Sequence, residues 1–136
     1  AVIFLAVTWV VASAVEGEQD NAYRTVWDGV YTAEQAASGQ GEYGAYCAEC
    51  HGNTLNGRSA PALEGDIFWR DWGEETLNVL YDAIRTTMPA ADPGSLSSKT
   101  YLDIVAYILQ KNSLPAGTEE LERLKISAIQ VVRNDE

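Results

Sequence analysis

The chain has 136 residues, enough for one domain with a modest core and too few for two. Acids outnumber bases 20 to 9, a net charge of −11, which excludes a bare nucleic-acid binder because nothing would neutralise a phosphate backbone. The same balance suits partners with neutral or basic surfaces. Hydrophobic residues at 46% and charged residues at 21% are the proportions of a globular protein, and three types are scarce: two Cys, one His and one Met.

In chain order, residues 2–15 read VIFLAVTWVVASAV and are almost continuously apolar. A helix of that length spans ~21 Å, short of the ~30 Å hydrocarbon core of a bilayer. Ala12-Ser13-Ala14 offers an A-x-A cleavage site, and a polar run from Glu16 to Asp20 follows. Residues 1–15 are therefore expected to be an export signal, or else a retained membrane anchor that starts upstream. Either way the folded part is exported, to the periplasm or an equivalent compartment. Residues 16–31 form a lead-in whose Tyr23, Val26, Trp27, Val30 and Tyr31 are expected to pack across the domain.

A first helix opens at Thr32, which with Gln35 fits a capping box, and runs to about Tyr46. Its Gly39, Gly41 and Gly44 each cost ~1 kcal/mol relative to Ala, so another element must approach closely to compensate. A second helix is signalled by Glu74 and Glu75 in its first turn and by the stripe Leu77, Leu80, Tyr81, Ile84. It stops before Pro89. A third starts at the N-cap Ser97, buries Tyr101, Ile104, Val105, Ile108 and Leu109, and ends near Lys111, with Pro115 beyond. No stretch alternates at period 2, so the fold class is all-α. The domain spans 32–117 and a C-terminal extension spans 118–136. In that tail Leu121, Leu124 and Ile126 suit a short helix begun near Thr118, while 125–132 mixes residues as an edge strand does.

The chemistry concentrates in Cys47-Ala48-Glu49-Cys50-His51, the C-x-x-C-H pattern of c-type haem attachment. Two thiols three positions apart on one turn reach the two vinyl groups on one porphyrin edge, and the next residue, His51, falls beneath the iron. The alternatives are a disulfide, a thioredoxin-like pair lacking its βαβ context, and a zinc site lacking further Cys or His ligands. Because His51 is the only histidine, a second axial imidazole from this chain is excluded. Met88, in a polar loop before Pro89, is the expected sixth ligand; the competing role for a lone Met is core filler. His/Met ligation favours electron transfer over oxygen or peroxide chemistry.

With these residues in place the chain resembles class I c-type cytochromes over about residues 26–117. The matching stretches are Gly39-x-x-x-Tyr43-x-x-x-Cys47-Ala-Glu-Cys50-His51-Gly52, Gly57-Arg58-Ser59-Ala60-Pro61-Ala62-Leu63, Ile84-Arg85-x-x-Met88-Pro89 and Tyr101-x-x-Ile104-x-Ala106-Tyr107. The resemblance implies a small cytochrome c fold, helices wrapped around one covalently bound haem c. It also implies that Gly39 and Tyr43 cross the last helix near Tyr107, and that the Pro61 carbonyl bonds the free nitrogen of the haem His. Trp27-Asp28-Gly29-Val30-Tyr31 and Pro93-Gly94-Ser95-Leu96-Ser97 are similar to single-haem domains that accompany quinoprotein dehydrogenases, some fused and some separate subunits.

Four further residues each carry two readings. Trp69 and Trp72 either wall the haem or are ordinary core aromatics. Arg58 and Arg70 either pair with haem propionates or are solvated surface charges. The expected function is one-electron carriage, Fe(III)/Fe(II), between a redox protein donor and acceptor with basic or neutral docking faces. The alternative is a permanently bound electron-accepting subunit of a dehydrogenase or respiratory complex. No nucleic acid is expected as partner, and a membrane only if residues 1–15 are retained.

Overall fold

The computed structural model describes residues 23–134. The apolar segment 1–15, read as export signal or anchor, lies outside the described residues. Among the described residues no helix is long and apolar enough to cross a membrane. The chain order is β1 (Arg24–Thr25), α1 (Ala33–Tyr46), α2 (Ala48–His51), α3 (Gly65–Trp72), α4 (Leu77–Thr87), α5 (Ser98–Lys111), a 3-10 turn (Ile126–Ala128) and β2 (Ile129–Gln130).

The crossing of α1 over α5 organises the core. Gly39 makes it possible: a Cβ there would stand 1.8 Å from the carbonyl oxygen of Asp103. No side chain could fit against that backbone, so the glycine's helix cost is offset by close packing. Gly41 and Gly44 face open space, so the expected compensation holds at Gly39 alone. One turn further on, the Tyr43 ring lies 5.4 Å from that of Tyr107, tilted 56°. Helix α5 is buried continuously from Tyr101 to Leu109, which is why its stripe is wider than one helical face. Its N-cap is as expected, Ser97 Oγ accepting from Thr100 N at 3.1 Å.

At α1, Thr32 Oγ1 accepts from Gln35 N at 3.0 Å, which is half of a capping box. The other half is diverted. Gln35 Nε2 donates to Leu121 O at 3.2 Å, and Leu121 N donates back to Oε1 at 2.8 Å. This buried amide pins the C-terminal extension to α1, a better use than the solvent-side bond to Thr32.

Helix α4 begins at Leu77 with Thr76 as N-cap, so Glu74 and Glu75 precede it rather than forming its first turn. Their backbones pair instead with buried Val131: Glu74 N donates to Val131 O and Val131 N to Glu75 O, both at 2.8 Å. The extension is therefore a strap. No helix forms near Thr118. Leu121, Ile126, Ile129 and Val131 are buried, whereas Leu124 is 92% exposed. The strand reading of the tail is correct for two residues, β2 pairing in parallel with β1 (Arg24↔Ile129, Thr25↔Gln130).

The lead-in packs as expected except at Tyr23, which is exposed. Asp28 Oδ2 accepts from Thr25 N at 2.6 Å, closing a turn that Gly29 completes at φ +62°. A Cβ on Gly29 would meet Gly117 Cα at 2.9 Å, so lead-in and extension touch backbone to backbone. Tyr31 OH donates to Leu114 O, and Trp27 Nε1 donates to Val132 O at 2.7 Å.

Candidate cofactor site

Cys47 ends α1 and caps α2, so the attachment motif is one tight turn on the end of a helix held by the α1–α5 crossing. Cys47 N donates to Tyr43 O at 2.9 Å and His51 N to Cys47 O at 2.9 Å. Positions three apart share a helix face, which puts the two thiols side by side. Neither is in a disulfide; Cys47 is half-buried and Cys50 exposed. Burial, with Cys50 adjacent, pushes the Cys47 thiol up to about 11. Among the described residues no group of three or more His, Cys, Asp or Glu could hold a metal ion.

Tyr43 braces the turn from behind. Its buried hydroxyl donates to Gly52 O at 2.8 Å, fixing the exit from His51, and burial raises its pKa above the ordinary value. The chain then loops back: Gly57 N donates to His51 O at 2.7 Å, Ala60 N to Cys50 O at 3.0 Å. That return delivers Pro61, whose carbonyl oxygen lies 2.8 Å from His51 Nδ1. A carbonyl oxygen only accepts, so Nδ1 carries the proton and Nε2 keeps a free lone pair. The imidazole, 7% exposed, is fixed in the tautomer and orientation a metal ligand needs.

Beside it lies an apolar cavity of about 190 Å³. The α2 turn and its loop contribute Cys47, His51 and Pro61; α4 contributes Ile84 and Met88; α3 contributes Trp72; α5 contributes Ile104 and Ile108. A second cavity of about 250 Å³ shares Cys47, His51 and Met88 and adds Cys50, Tyr46, Ala60 and Ala90. Together they fall in the range of cofactor sites. Met88 leaves α4 as its C-cap, N–H bonded to Ile84 O at 2.8 Å. Two thiols, an imidazole nitrogen freed by its partner, a thioether and apolar walls fit a covalently attached haem with His and Met axial ligands.

The structure separates the two tryptophans. Trp72 lines the cavity; Trp69 does not, being stacked on Trp27 at 6.4 Å and set edge-on to Phe68. The lead-in claims Trp69, and that competition was not visible in α3 itself. Arg58 is exposed and makes no ion pair among the described residues. It lines neither cavity holding His51. Arg70 Nε pairs with Asp71 at 2.7 Å on the surface. Sequence reasoning missed Asp71 at the cavity wall and Tyr101, whose hydroxyl donates to Met88 O at 2.8 Å. Tyr101 sat in the expected core stripe, where nothing distinguishes a polar tip from a packed ring.

The family model described as cytochrome c oxidase, cbb3-type, subunit III matches residues 34–108. Among solved structures the chain is similar to the sulfane dehydrogenase SoxCD from Paracoccus pantotrophus. The identity is 21% and the TM-score 0.55, over 93% of this chain and 67% of that one, a likeness of fold. A search of curated proteins gave no match.

Proposed function

Because the chain belongs to the family of cytochrome c oxidase, cbb3-type, subunit III, it is a class I c-type cytochrome that carries covalent haem c and transfers electrons, and we propose that it works as an exported single-haem carrier between two redox proteins. The observation that carries the residue assignment is the His51–Pro61 bond beside a cavity that also holds Cys47 and Met88. Haem supplies the Fe(III)/Fe(II) couple. Cys47 and Cys50 would anchor it through thioethers, His51 Nε2 and Met88 sulfur would ligate its iron, and the Pro61 carbonyl orients the imidazole ring through Nδ1. Trp72, Ile84, Ile104 and Ile108 exclude water and keep the local dielectric low.

The rim of the second cavity presents Tyr46, Ser59, Ala60 and Ala90, all uncharged, next to exposed Cys50. This supports docking through a neutral face, with the overall −11 steering basic partners. A redox titration tests the function: a single one-electron step is expected, and a second transition within this chain contradicts a single haem. The second reading, a permanently bound subunit of an oxidase or dehydrogenase, is favoured by the family's description and by exposed Leu124 and Tyr23. Size-exclusion of native extract separates the two, since co-elution with a large partner supports the bound subunit.

A further inference from the structure

We propose that Tyr101 is a positioning residue that keeps the Met88 loop closed, its one hydroxyl bonding both ends of that loop. The inference rests on the reading of Met88 as sixth ligand and names what holds it there.

The loop from Met88 to Leu96 has little to stabilise it from within. Residues 90–95 are exposed. Its internal bonds are two short-range turns, Asp92 N to Pro89 O at 3.0 Å and Ser95 N to Asp92 O at 3.3 Å, and one long bond across the loop, Gly94 N to Met88 O at 3.3 Å. From the core, Tyr101 OH donates to Met88 O at 2.8 Å and accepts from Leu96 N at 3.4 Å. The two ends of the loop thus meet on one atom, carried by a ring that is 1% exposed on α5. Without it, Met88 O keeps only the longer bond from Gly94 N at 3.3 Å.

Tyr101 is itself held. Tyr81 sits edge-on to it, centroids 6.2 Å apart at 82°, and Tyr81 OH bonds Ser98 Oγ at 2.9 Å. The Arg123 guanidinium of the strap lies over the Tyr81 ring, 4.9 Å from its centroid. The C-terminal extension therefore reaches the ligand loop through two tyrosines packed edge to face.

The test uses ferric holoprotein and imidazole, which binds the iron only when the thioether leaves. Tyr101→Phe removes the hydroxyl and keeps the ring. Roughly three- to tenfold tighter imidazole binding is expected, the scale set by one lost hydrogen bond. Tyr31→Phe removes a comparable tyrosine–carbonyl bond, to Leu114, away from the iron and should leave imidazole affinity unchanged. Equal affinities in wild type and Tyr101→Phe, with Met88→Ala binding far more tightly, would overturn the positioning role alone. If Met88→Ala changes neither the spectrum nor imidazole binding, the ligand reading falls and the positioning role falls with it. Equal gains in Tyr31→Phe and Tyr101→Phe would show general loosening and also overturn it.

Discussion

His51 Nδ1 lies 2.8 Å from the carbonyl oxygen of Pro61, ten residues further along the chain. One hydrogen bond decides which ring nitrogen keeps its lone pair free. The Nδ1 proton is shielded on the Pro61 side and the ring is buried. In NMR spectra of the ferrous holoprotein it is expected as a discrete resonance that exchanges slowly with solvent. Rapid exchange would mean that the bond does not persist.

Gly39 and Gly41 should respond oppositely to the same substitution. Gly39→Ala puts a methyl 1.8 Å from the Asp103 carbonyl oxygen, a backbone atom that cannot swing aside. A loss of about 3 kcal/mol or more is expected. Gly41 has nothing within 4 Å, so Gly41→Ala should gain up to about 1 kcal/mol from helix propensity. Denaturant unfolding of the two variants measures both.

The strap makes a sharper contrast. Ile126 is fully buried and Leu124 is 92% exposed, two positions apart. Ile126→Ala should cost about 2–5 kcal/mol, while Leu124→Ala should stay within about 0.5 kcal/mol. Unfolding midpoints check this, and equal effects would show that the strap does not pack as described.

Stability should fail in alkali. Burial raises the pKa of Tyr31, Tyr43 and Tyr107 above the ordinary 10.0. Above that pH the unfolded chain has released protons that the folded chain still holds. Their contribution is therefore complete below pH about 10 and is lost as pH rises through the higher folded values. Guanidinium midpoints at about pH 8 and about pH 11 should show the drop. Tyr43→Phe should make it shallower.

Helices α1, α4 and α5 and the attachment motif were legible because each depends on neighbours in sequence. Thr32, Ser97, the α4 stripe and the Cys47–His51 turn all use contacts within four residues. What was not legible depends on contacts across the chain. Gln35 looked like a capping residue until Leu121 arrived some 86 positions later. Glu74 and Glu75 looked like a helix start until Val131 paired with them. Trp69 and Trp72 were equivalent in sequence, and only the stacking of Trp27 on one of them left the other to the cavity. Short α3 and two-residue strands carry too little periodicity to announce themselves.

Haem attachment at Cys47 and Cys50 is tested most directly by mass spectrometry of the proteolytic peptide that contains Cys47-Ala48-Glu49-Cys50-His51. The expected result is one haem on that peptide, joined to both cysteines, and no haem elsewhere in the chain. Recovery of the same peptide from haem-loaded protein with two free thiols, or with a Cys47–Cys50 disulfide, would contradict it.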